Sequence, residues 1–277
     1  MLGKLIKYEL KATRKFMFLL YGLLLAISVL TSLMFHFNVN GGDFNVGTKW
    51  GSVSFGGGAV LEILAVLLII AYVVLTVAAV SAMFFYAIMR FRKNLLGDEG
   101  YLMHTLPVKE RDHILSKSIV SVLWTLAGFA AAVISGVIIL CGAAGSELFA
   151  QLYKLFSDVD GMFLLQSGRV ILLCIELVIL VIFALACGYL HIYASMAVGY
   201  SLDKYRAVVS VGAFLLLDML ETVLHGVTAK MLLQTTHAFY QGHGHLVLWI
   251  EIMFAAIMGL AYYGITKYFL SRRLNLE

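Results

Sequence analysis

Residues 60–89 read VLEILAVLLIIAYVVLTVAAVSAMFFYAIM, thirty positions interrupted by a single charged side chain, Glu62. A hydrocarbon core is crossed by about 20 helical residues. Thirty extend about 45 Å, so this stretch crosses a bilayer and has length left over to tilt or protrude. Its apolar residues are continuous, where an outer-membrane strand would alternate apolar and polar positions. It therefore reads as a transmembrane helix, and the chain's one proline, Pro107, lies outside it.

Five further runs of the same character flank it, at 16–37, 114–140, 170–199, 207–226 and 246–270. Over all 277 residues, 62% are hydrophobic and 13% charged, and the mean hydropathy is +0.95. Such a chain cannot cover itself with polar side chains as a soluble globule does. The expected fold is all-α: a polytopic membrane protein of six transmembrane helices forming a single transmembrane domain over 1–277. Cys141, Cys174 and Cys187 fall in or beside apolar runs, with neither metal-type spacing nor a disulfide framework.

The net charge of +4 does not point to nucleic acid, because the cations sit at the ends of apolar runs. Sixteen of the twenty Lys and Arg lie before the first span, between 90 and 117, at 204–206 or from 267 onward. The other side receives Lys49, Lys154, Arg169 and Lys230. The positive-inside rule then puts both termini in the cytoplasm, and a cell membrane is the expected location. Before the first span, Lys4, Lys7, Lys11 and Arg14 follow helical spacing opposite Leu2, Leu5, Ile6 and Leu10, which predicts an amphipathic helix over 1–15 in the membrane interface, held by anionic lipid. A solvated start of the first span is the plainer reading of the same residues.

The outer connections differ from one another. Segment 38–59 carries seven glycines and reads as an irregular loop, while 146–157 (SELFAQLYKLFS) reads as a short amphipathic surface helix. Gly128, Ala132 and Gly136 repeat every four positions on the third span and predict close helix approach.

Enzymatic motifs are missing. The nearest string to a phosphate-cradling G-x-x-x-x-G-K-[ST] is Gly42 to Lys49, which reverses the last pair and falls in an outer loop. No nucleophile–base constellation stands out. His225, His237, His243 and His245 surround the fifth connection, and Gly242-His243-Gly244-His245 can ligate a metal, but no cysteine or paired carboxylate completes a site; an exposed polar loop accounts for it, and no metal is expected. His191, deep in the fourth span, fits a hydrogen bond to a neighbouring helix. An intramembrane enzyme would need His191 with Glu176, which at fifteen positions along one helix stand about 22 Å apart.

Carboxylates are more informative. Glu62, Glu176, Asp218, Glu221 and Glu251 all fall in the outer half of the spans, and no Lys or Arg lies deep enough to neutralise them. Asp218 and Glu221, three apart, face the same way. Such groups are hydrated, protonated or bound to a cation. Glu176, Asp218, Glu221 and Glu251 form a candidate translocation vestibule for cationic or amphipathic cargo; headgroup-level residues wetted from outside are the plain alternative.

The second and third spans are joined by RFRKNLLGDEGYLMHTLPVKERDHILSK, residues 90–117. Leucines alternate with charges here, Gly97 and Gly100 permit sharp turns, and Pro107 suits the first turn of a new helix. Within it, KNLLGDEGYLMHTLP resembles the K-N-L-x-G-D-E-G-Y-L-x-x-T-L-P motif of bacterial permease subunits of ATP-binding-cassette type-2 transporters. LIKYELKATRK before the first span is similar to that family's amphipathic lead-in, and the six-span layout extends the resemblance over nearly the whole chain.

The resemblance implies that Asn94 to Pro107 form a coupling segment docking on a separate ATPase subunit, through Asn94, Leu95, Gly97, Asp98, Glu99, Gly100, Tyr101, Leu102, Thr105, Leu106 and Pro107. It implies ATP and Mg on that partner and no cofactor in this chain. It implies a second permease, identical or paralogous, and cargo movement between the two. The function expected is that of an exporter's membrane subunit. A stand-alone gradient-driven transporter or channel, using the outer-half carboxylates as ion or proton sites, is the alternative.

Overall fold

The computed structural model describes residues 1–39, 46–48, 51–53, 59–97, 108–161, 169–202, 204–235 and 244–272. Among the described residues six long helices carry the fold: α1 (Leu2–Val39), α2 (Ala59–Phe91), α3 (Glu110–Gly161), α4 (Arg169–Gly199), α5 (Arg206–Thr235) and α6 (Gly244–Arg272). A π-helical turn, Arg92–Leu96, extends α2. Each of the six is long and apolar enough to cross a membrane.

Several expected boundaries move, most of them toward longer helices. The helix expected over 1–15 is continuous with the first span, since α1 runs from Leu2 to Val39 without a break. Its Lys, Leu, Glu and Ala are good helix formers, and nothing between Gly3 and Gly22 interrupts the ladder. The expected surface helix at 146–157 is likewise continuous with the third span. Gly142 costs α3 some helix propensity without ending it, and it lets α3 pass Ser32 of α1 closely: a Cβ there would lie 2.4 Å from the Ser32 carbonyl oxygen. The new helix after the coupling segment begins at Glu110, beyond Pro107 and Lys109.

Segment 38–59 is not wholly irregular. Two short strands, β1 (Val46–Thr48) and β2 (Gly51–Val53), pair antiparallel with Val46 opposite Val53 and Thr48 opposite Gly51. β-branched Val46, Thr48 and Val53 suit a pleated ribbon, a signal outweighed in the sequence by the surrounding glycines.

The chain divides into two compact units. One comprises Ala12–Phe84 and Trp124–Gln166. There Tyr21 donates to the Trp124 carbonyl at 2.7 Å, Trp124 Nε1 donates to Thr13 Oγ1 at 2.7 Å, and Tyr72 and Ser135 share a hydrogen bond. Gly128 makes the expected close approach, since a Cβ would collide with the Met83 side chain, whereas Gly136 faces open space. Of the two glycines, only Gly128 is thus placed by a tight crossing.

The other unit comprises Met1–Lys11, Phe85–Leu123 and Ser167–Glu277. Within it α4 packs principally against α6 and also against α5. Gly199 at the end of α4 abuts Ser210, where a Cβ would lie 2.6 Å from the backbone nitrogen. Both sites described next belong to this unit.

Candidate functional site

The first site surrounds the segment joining α2 to α3. Phe91 closes α2 with its ring stacked on Tyr193 of α4, centroids 4.0 Å apart and nearly parallel, and Tyr193 shares a hydrogen bond with Ser121 of α3 at 3.1 Å. Asn94, Leu95 and Leu96 follow in the π-helical turn. All three are buried, Leu95 completely, so Asn94 and Leu95 serve to seat the segment in the unit, and the half-buried Gly97 is the first position after the turn that is not fully enclosed. Asp98, Glu99, Gly100, Tyr101, Leu102, Thr105, Leu106 and Pro107 lie outside the described residues.

Both ends of that segment are tied to the start of α1. Glu9 accepts from Arg90 Nε through one carboxylate oxygen and from Lys117 Nζ, at 2.7 Å, through the other. Lys117 is only 4% exposed and Glu9 13%. A lysine so enclosed needs an anionic partner, and the carboxylate in turn needs cations to offset its own desolvation. Arg90 precedes the segment and Lys117 follows it on the first turns of α3, so one acid joins three helices.

Sequence reasoning concentrated on the cations of residues 1–15 and passed over Glu9. The available signal was that Glu9 is the one acid among five Lys and Arg there, placed on the half-buried face with Leu5, Ile6 and Leu10. Lys4, Lys7, Lys11 and Arg14 are all exposed, as their spacing predicts.

The second site is the carboxylate group of α4, α5 and α6. Asp218, Glu221 and Glu251 line one cavity of about 320 Å³ together with His191 and His225, and Leu180, Ala184 and Phe254 give it an apolar wall. Glu221 accepts from the Tyr262 hydroxyl at 2.6 Å, and Glu251 pairs with His225 at 2.9 Å. His191 is wedged between the rings of Phe214 and Tyr262; its Nε2 lies 3.3 Å from the Phe214 carbonyl oxygen and its Nδ1 3.9 Å from Glu221. This is the interhelical bond expected of it.

Glu176 stands apart. It is 1% exposed, bound by His245 Nδ1 at 2.6 Å and by Trp249 Nε1 at 2.8 Å, and it does not line the cavity. The structure thus gathers three of the four vestibule residues and assigns the fourth to a clamp between α4 and α6. The suggested His191–Glu176 pairing is not formed, since each has other partners. Glu62 carries no described side chain, and His237 and His243 lie outside the described residues.

Imidazole, phenol and indole therefore replace the absent Lys and Arg around these acids. A carboxylate–imidazole pair keeps the same net charge wherever its shared proton resides, which lowers the cost of holding it among apolar helices. Among the described residues no group of three or more His, Cys, Asp or Glu is placed to hold a metal ion. Comparison with protein-family models, curated proteins and solved structures finds no match to this chain.

Proposed function

We propose that this chain is the membrane-spanning permease subunit of an ATP-driven ABC exporter of the type-2 class, working with a separate nucleotide-binding subunit and a second permease, identical or related, in a bacterial cell membrane with both termini cytoplasmic. The observation that carries this reading is KNLLGDEGYLMHTLP joining the second and third of six apolar helices. Its beginning is seated firmly: Phe91, Asn94, Leu95 and Leu96 are buried, and Glu9 ties Arg90 and Lys117 on either side of it.

In this mechanism, ATP-driven closure of the partner displaces residues 98–107. Tyr101 and Leu102 supply much of the docking energy, as aromatic and aliphatic anchors do at interfaces. Because Arg90 and Lys117 share Glu9, a displacement is passed to α1, α2 and α3 together and not absorbed by a slack loop. ATP and Mg act on the partner alone. The test is the Tyr101→Ala/Leu102→Ala variant reconstituted with its ATPase: transport falls while the permease keeps its melting midpoint and the ATPase keeps its basal turnover. Normal coupling in that variant would overturn the assignment.

The cavity lined by Asp218, Glu221 and Glu251 favours a second reading, a gradient-driven transporter or channel with its ion or proton site there. That reading expects uptake into vesicles under an ion gradient without ATP, which the first does not.

A further inference from the structure

A groove of about 780 Å³ runs between α3, α4 and α6, closed on one side by the start of α1. It lies across the α4–α6 seam from the carboxylate cavity, with Cys187 and Ala255 contributing to both. Its size falls within the range of about 300–1,000 Å³ typical of small-molecule sites. The walls are apolar: Leu115, Phe183, Ala186, Leu190, Ala256 and Leu260. The room comes from small side chains on α6, where Ala255, Ala256 and Gly259 follow one another along one face.

At the first turn of α3 the character changes. Arg111 and Asp112 line the groove there as an ion pair at 3.5 Å, with the arginine side chain 55% exposed. An apolar slot that opens along membrane-crossing helices and ends on adjacent charges of opposite sign has the polarity of a phospholipid, with hydrocarbon along its walls and a headgroup at its end.

We propose that this groove binds a single phospholipid with a phosphoethanolamine headgroup. Its acyl chain lies against the α4–α6 wall, its phosphate meets the Arg111 guanidinium, and its ammonium meets the Asp112 carboxylate. The paired signs select the headgroup. A glycerol headgroup leaves its phosphate charge beside Asp112 with no ammonium to balance it, and a choline has no N–H to donate to the carboxylate. The proposal is independent of what the chain transports.

The test places the full chain in lipid discs of equal phosphatidylethanolamine, phosphatidylglycerol and phosphatidylcholine with identical acyl chains, then extracts it and weighs retained lipid by native mass spectrometry. The wild-type chain is expected to keep one ethanolamine lipid, enriched by about fivefold or more over the other two. Asp112→Asn should erase the preference over phosphatidylglycerol, and Ala256→Phe, which fills the slot, should remove the adduct while keeping the melting midpoint. If Ala256→Phe does not fold, Ala186→Leu fills the same wall. Equal or greater retention of phosphatidylglycerol by the wild type overturns the proposal. So does the absence of any retained lipid, or an ethanolamine adduct that survives in a folded, slot-filled variant.

Discussion

Glu9 and Lys117, 108 positions apart in the chain, meet at 2.7 Å, and the same carboxylate also receives Arg90. Removing one member of an enclosed ion pair typically costs about 3–5 kcal/mol, and the 24% exposure of the Arg90 side chain moderates that here. Glu9→Ala is therefore expected to lower the melting midpoint in detergent clearly more than Lys4→Ala on the exposed face of the same helix. Glu9→Leu combined with Lys117→Met should recover much of the loss. Equal midpoints for Glu9→Ala and Lys4→Ala would show the pairing to be energetically idle.

Two glycines of α3 make a contrasting pair. A Cβ on Gly142 would lie 2.4 Å from the Ser32 carbonyl oxygen and 2.7 Å from its Cα, whereas one on Gly136 meets nothing within 4 Å. Gly142→Ala must push backbone aside and should destabilise. Gly136→Ala should be neutral or gain up to about 1 kcal/mol of helix propensity. Thermal unfolding of the two single variants checks the order, and a reversed order contradicts the α1–α3 crossing described.

The Glu176 clamp is read through Trp249. In a background with Trp50 and Trp124 replaced by Phe, Glu176→Leu removes the acceptor of both Trp249 Nε1 and His245; with Trp249 49% and the His245 side chain 29% exposed, each lost hydrogen bond is worth about 0.5–1.5 kcal/mol. Tryptophan emission should shift and the midpoint should fall. Glu176→Gln keeps an acceptor oxygen and should fall less. An unchanged emission spectrum in Glu176→Leu would mean that Trp249 does not face Glu176.

For the cavity, Asp218→Asn with Glu221→Gln removes two carboxylates that face one space without removing their shape. If cationic cargo passes there, its transport should drop by about tenfold or more, equivalent to at least about 1.4 kcal/mol, with the complex still assembled. Unchanged transport would confine these acids to a structural role.

Much of this architecture was legible in the sequence because apolar length is a local property. Six helices long and apolar enough to cross a membrane overlap the six apolar runs, and the common facing of Asp218 and Glu221 follows from helical spacing alone. What was not legible depends on partners distant in the chain. Nothing near Glu9 reveals Arg90 or Lys117, and Glu176 resembles the other acids within the apolar helices until α6 brings His245 and Trp249 against it. Helix ends were misjudged where no breaker exists: α1 passes Arg14 because arginine is a good helix former, and α3 passes Gly142 because a single glycine only weakens a helix. The β1–β2 hairpin was hidden because its three β-branched residues stand among glycines.

The central claim is that residues 98–107 engage a separate ATPase, and affinity capture of the tagged full chain from mild detergent tests it most directly, with companions identified by mass spectrometry beside the Tyr101→Ala/Leu102→Ala variant. The account predicts a companion bearing a Walker motif that is captured with the wild-type chain and lost with the variant. Capture of the folded wild-type chain alone, or equal capture of the ATPase by both, would contradict it.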